Sequence, residues 1–81
     1  MKTLIQGAIT LYLTQRGYDA SDLRYEGDQN VVVGSRTLSA DLYENILEVQ
    51  PDGSKKIIAK SDLPQSIMKV GRRRATKWTD L

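Results

Sequence analysis

Residues 39–50, Ser39-Ala40-Asp41-Leu42-Tyr43-Glu44-Asn45-Ile46-Leu47-Glu48-Val49-Gln50, admit two secondary structures, and the choice between them decides the fold. As a helix, Ser39 would cap the first turn, Leu42, Tyr43, Ile46 and Leu47 would share one face, and Pro51 would follow the end. As a strand, the same residues feed Pro51-Asp52-Gly53-Ser54, where Pro presets one turn angle and Gly takes the other, and Lys55 to Lys60 returns with Ile57 and Ile58. The turn chemistry favours the strand hairpin.

Towards the N-terminus, Leu23-Arg24-Tyr25 and Val31-Val32-Val33 flank the turn-rich insert Glu26 to Asn30, which predicts a second hairpin. Gly34-Ser35 then either ends a strand or bulges it, and the next strand is expected near Thr37. Before these, residues 3 to 16 carry the clearest signal in the chain. Thr3 with Gln6 has capping-box spacing, Gly17 supplies a stop, and Ile5, Ile9 and Leu13 recur every four residues beside Leu4, Ala8 and Tyr12. No Lys or Arg rims this apolar stripe, so it is expected to pack on a core rather than lie on a membrane surface.

Towards the C-terminus, Ser61-Asp62-Leu63-Pro64 resembles a helix start, with Pro tolerated in the first turn and Asp62 near the positive end of the dipole. The expected fold is therefore α+β: an N-terminal helix packed on a small antiparallel sheet of three or four strands, followed by a short C-terminal helix and a basic tail. Residues 1–81 are expected to form one small domain, with residues 71–81 a flexible basic tail if the last helix ends at Gly71.

Composition narrows the chemistry. The chain lacks Cys and His, which removes disulfides, thiolate nucleophiles, imidazole bases and the usual nitrogen or sulfur ligands of transition metals. Glu44 and Glu48 could share one face as an acid-base pair or a hard-cation site, but a solvated acidic edge is much the stronger reading. Asp19, Asp22, Glu26 and Asp28 fall in expected turns. Neither a P-loop nor a dinucleotide fingerprint occurs, so the reading is a non-enzymatic protein without cofactors. The N-terminal apolar run is interrupted by Gln6 and followed by Gln15-Arg16, and no run approaches a membrane span, so a cytoplasmic protein without membrane contact is expected.

Charge provides the functional signal. Residues 1–54 hold four basic and eight acidic groups, a net charge of −4, whereas residues 55–81 hold eight basic and two acidic groups, a net charge of +6. On a helical wheel, Lys69, Arg72, Arg73 and Lys77 fall on one side and Ile67, Val70 and Trp78 on the other, while Arg74 falls awkwardly among the apolar group. Such a face suits DNA or RNA phosphates, with Trp78 placed to stack on an unpaired base. The candidate nucleic-acid-binding residues are thus Lys69, Arg72, Arg73, Arg74, Lys77 and Trp78 in an accessory or regulatory protein. The alternative is a protein-protein interaction module, an inhibitor or assembly partner, that uses a strand edge or acidic surface on another protein or on a second copy of itself. Arg73-Arg74-Ala75-Thr76 also fits the loose pattern of a basophilic kinase target, although so short a match is mostly chance.

Overall fold

A computed structural model describes residues 2–62 and 76–81. The first element is α1 (Leu4–Gln15), and it forms where the capping signals place it. The Thr3 side chain accepts from the Gln6 N–H at 3.1 Å while the Gln6 side chain accepts from the Thr3 N–H at 3.0 Å, closing a reciprocal capping box. Gly17, at φ +93°, ends the helix in a conformation that disfavours side chains carrying a Cβ.

A 3-10 turn at Ala20–Asp22 leads into six strands: β1 (Leu23–Glu26), β2 (Asn30–Val33), β3 (Arg36–Ala40), β4 (Ile46–Val49), β5 (Lys55–Ser61) and β6 (Trp78–Asp80). Each pairs antiparallel with its neighbour in sequence, giving one sheet in the order β1-β2-β3-β4-β5-β6. The helix lies chiefly across β2 and β3, on one face of this meander. Ile9 and Leu13 of α1 meet Leu23, Val31, Val33, Leu38, Ala40, Ile46, Ala59 and Trp78 in a single core. Burying a side chain the size of Ile or Leu contributes about 1.5–3 kcal/mol, and Ile9, Leu13, Leu38 and Ile46 are essentially fully enclosed. Leu4, although part of the predicted stripe, is exposed.

The expectation of three or four strands is overturned: the sheet has six, and the strand residues Ser61 and Trp78 stand where the C-terminal helix was expected to begin and end. Residues 39–50 are neither one helix nor one strand: Ser39-Ala40 ends β3, Asp41 to Asn45 turns the chain, and Ile46 begins β4. The turn is built by Asp41, whose carboxylate accepts from the N–H groups of Tyr43 and Asn45, both at 2.9 Å, and from the Asn45 amide at 3.0 Å. The hairpin across Pro51 to Ser54 does form, with Ile58 as an extra residue between the pairs Ile46–Ala59 and Leu47–Ile57. That bulge leaves Ile58 packed against the core.

At the C-terminal side, Ser61 belongs to β5 and pairs with Trp78, which starts a strand instead of closing a helical face. The remainder of the expected helix and the first part of the expected tail, residues 63–75, lie outside the described residues. No helix among the described residues is long and apolar enough to cross a membrane.

Gln6 ties the helix to the sheet. Fully buried, its amide Nε2 donates to the carbonyls of Gly27 at 2.9 Å and Asn30 at 3.1 Å, with a longer approach to Glu26 at 3.5 Å. Replacement by the similarly shaped Met (Q6M) removes these donors and the acceptor of the Thr3 N–H, leaving part-buried backbone groups without their partners. The expected loss is about 2–4 kcal/mol of unfolding free energy, measured by urea denaturation.

Candidate nucleic-acid interface

Of the six residues that the sequence nominates, Lys69, Arg72, Arg73 and Arg74 lie outside the described residues. In chain order they fall in the connection from Asp62, after β5, to Thr76, before β6. Lys77 is exposed immediately before β6. Trp78 is 8% exposed and sits in the core.

The two ends of this connection are pinned to each other. The Asp62 N–H donates to the Lys77 carbonyl at 2.9 Å, and the Lys77 N–H donates to Asp62 Oδ1 at 3.1 Å. Thr76 is 4% exposed, with its hydroxyl donating to Glu44 Oε1 at 2.7 Å and its carbonyl accepting from Gln15 Nε2 at 2.9 Å. A kinase cannot reach this hydroxyl without opening the fold, so the Arg73-Arg74-Ala75-Thr76 pattern has no accessible acceptor.

Trp78 completes the anchor. Its indole N–H donates to the Glu44 carbonyl at 2.6 Å, and its ring meets Tyr12 edge-on with centroids 5.5 Å apart. An indole held in this way does not present a free face for base stacking. Glu44 receives both Thr76 and Trp78 from the β3–β4 turn, where its backbone adopts φ +63°. A non-glycine residue in this left-handed region costs on the order of 1 kcal/mol, offset here by the two hydrogen bonds that the conformation aims at β6. Ser61 Oγ adds a further tie by donating to the Tyr43 carbonyl.

The helix seals the other side of β6. Arg16 donates from Nε to Asp80 Oδ2 at 3.0 Å and from Nη2 to Asp80 Oδ1 at 2.9 Å, and Nη2 also reaches the Trp78 carbonyl at 3.2 Å. The same guanidinium lies 4.6 Å from the centre of the Tyr12 ring, whose hydroxyl donates to Asp80 at 2.8 Å. Hydrogen bonds from Arg16 and then from Tyr12 hold the Asp80 carboxyl below its ordinary range. Burial first, and the Asp80 carboxylate second, push the Tyr12 phenol up.

The carboxylates Glu44 and Glu48 are engaged separately. Glu48 pairs with Arg36, 3.1 Å from Nε to Oε2, and that pairing lowers its pKa. No group of three or more acidic residues placed to hold a metal ion occurs among the described residues.

Lys60 is a residue that sequence reading did not nominate. It pairs with Thr79 in register, and Lys77, two residues before Thr79, projects from the same sheet face opposite α1. Both lysines are exposed. Strand alternation identifies this neighbourhood once residues 78–80 are known to be a strand, whereas the helical wheel conceals it. The chain matches no known family model, and no curated protein or solved structure matches it significantly.

Two outcomes follow from the anchor. W78F keeps an apolar ring but loses the indole donor, and should cost about 1–2 kcal/mol in chemical denaturation. Because the folded-state pKa of Asp80 is depressed, its contribution is present above the unfolded carboxyl value near 3.8 and is lost as pH falls through the lower folded value. D80N should flatten that part of the stability-against-pH curve below about pH 4, with a small change at neutral pH because the side chain is about half exposed.

Proposed function

We propose that this chain is a small non-enzymatic accessory protein that binds nucleic-acid phosphates through the basic connection between β5 and β6. Lys69, Arg72, Arg73 and Arg74 supply charge from the connection, and Lys77 and Lys60 extend it along the adjoining sheet face.

The observation that carries this reading is the anchoring of the connection at both ends. Asp62 and Lys77 pair across its base, while Glu44, Gln15 and Arg16 fix Thr76 and Trp78. Fixing the two ends lowers the conformational entropy lost when the basic groups engage a polyanion. Arg16 and Arg36, both from the acidic first two-thirds of the chain, supply the cations of the two ion pairs among the described residues. Lys60 and Lys77 enter neither pair, so they are available to a solvent-side partner. Trp78 contributes by anchoring the strand.

Phosphate binding of this kind is sequence-tolerant and salt-sensitive, since each neutralised phosphate releases counterions. Fluorescence anisotropy of labelled duplex and single-stranded oligonucleotides should show affinity falling with log salt at a slope of about −4 to −5 on duplex DNA if four to six cations reach phosphates. K60A/K77A should lessen that slope by about 1 to 2. The emission of Trp78, the single tryptophan, should be blue-shifted and little altered by oligonucleotide. Absence of micromolar binding at low salt would refute the proposal.

A further inference from the structure

The two edges of the sheet are unlike. On the β6 side, the carbonyls of Thr76, just before the strand, and of Trp78 accept from Gln15 and Arg16 of the α1 end. β1 carries no strand on its outer side.

The direction of the free groups on β1 follows from the ladder. Gly34-Ser35, with Gly34 at φ +61°, is a two-residue turn, so the flanking pair Val33–Arg36 exchanges both backbone hydrogen bonds. Alternation then turns Val32 and Asn30 towards β1, where they pair with Arg24 and Glu26. Tyr25 is left with its N–H and C=O on the open side, as is Leu23 with its C=O. The Leu23 N–H, also outward, is taken by the Ala20 carbonyl.

The side chains of this edge alternate as well. Leu23 is in the core and Tyr25 reaches α1, its hydroxyl 2.9 Å from Thr10 Oγ1, so Arg24 and Glu26 project from the opposite face. Both are exposed, and Tyr25 is 41% exposed.

From this geometry we infer that β1 is a self-association edge that takes β1 of a second copy of this chain in an antiparallel pair centred on Tyr25. In that register the two Tyr25 residues exchange N–H···O=C bonds across a twofold axis. Arg24 of each copy then stands opposite Glu26 of the other, in the closely spaced non-hydrogen-bonded positions where cross-strand side chains approach most nearly. A register centred on Arg24 or Glu26 opposes like charges and aims the wrong backbone groups at the axis. Charge and hydrogen-bond direction therefore select the same register. The ladder is short, because Asp22 would meet Asp28 beyond the Leu23–Gly27 pairs, so the dimer is weak and concentration-dependent.

Charge exchange tests the register. Sedimentation velocity of the full chain up to about 1 mM should show reversible dimerisation. R24E and E26R, each verified as folded by circular dichroism, should each raise the dimer dissociation constant roughly tenfold or more, because both cross-strand pairs become repulsive. An equimolar mixture of R24E and E26R should dimerise again as a heterodimer, and the double variant R24E/E26R should recover self-association. A wild-type chain that stays monomeric throughout, single variants that dimerise as the wild type does, or a mixture and double variant without recovery would each overturn the inference.

Discussion

A buried primary amide organises one end of this protein. Gln6 has donors and acceptors on one planar group, which lets it close the capping box of α1 through Oε1 and gather the carbonyls of the first β-turn through Nε2. These carbonyls belong to a hairpin more than twenty residues away, so the start of the helix and the start of the sheet are fixed by the same side chain. Thr3 reinforces the junction by donating from its hydroxyl to the Asp28 carbonyl at 2.7 Å. An apolar residue of equal size would fill the space and leave the turn without partners. The start of α1 is thus tied to the β1–β2 hairpin by a satisfied polar contact as well as by the apolar stripe behind it.

The opposite end is fixed by a different device. There the β3–β4 turn accepts a strained backbone at Glu44 and uses it to collect Thr76 and Trp78, while the last turn of α1 covers the outer side of β6. A three-residue strand has too few ladder bonds to hold itself. Its place depends chiefly on the indole packed against Tyr12, with the half-exposed Arg16–Asp80 pair beside it. The basic connection thus ends on a strand held by the helix, linking the best-specified element of the chain to its most highly charged segment.

Local chemistry was legible in the sequence wherever a few adjacent residues determine the outcome. The Thr3–Gln6 box, the Gly17 stop, the first hairpin and the turn across Pro51 to Ser54 are of this kind, and the structure contains each. Residues 39–50 were less legible, because Asp41 builds a tight turn from side-chain hydrogen bonds that hydrophobic periodicity does not register. β6 was hidden for another reason: Trp78 to Asp80 is too short to display alternation, and its partners come from positions 58 to 62 and from the end of α1. Charge singled out the basic segment. It could not show that Trp78 serves the core, because an aromatic beside arginines carries the same sequence signature in either role. Lys60 was overlooked because its relation to Lys77 exists only across paired strands.

The sealing of β6 by Gln15 and Arg16 also bears on how copies of this chain can assemble. A meander with two open edges can add neighbours indefinitely and grow into a ribbon, the route by which antiparallel sheets become fibres. At β6 the helix already occupies the carbonyls of Thr76 and Trp78, so a strand arriving at that edge would find those acceptors taken. The arginine that pairs with Asp80 thereby also withdraws a backbone acceptor from edge-to-edge pairing at β6.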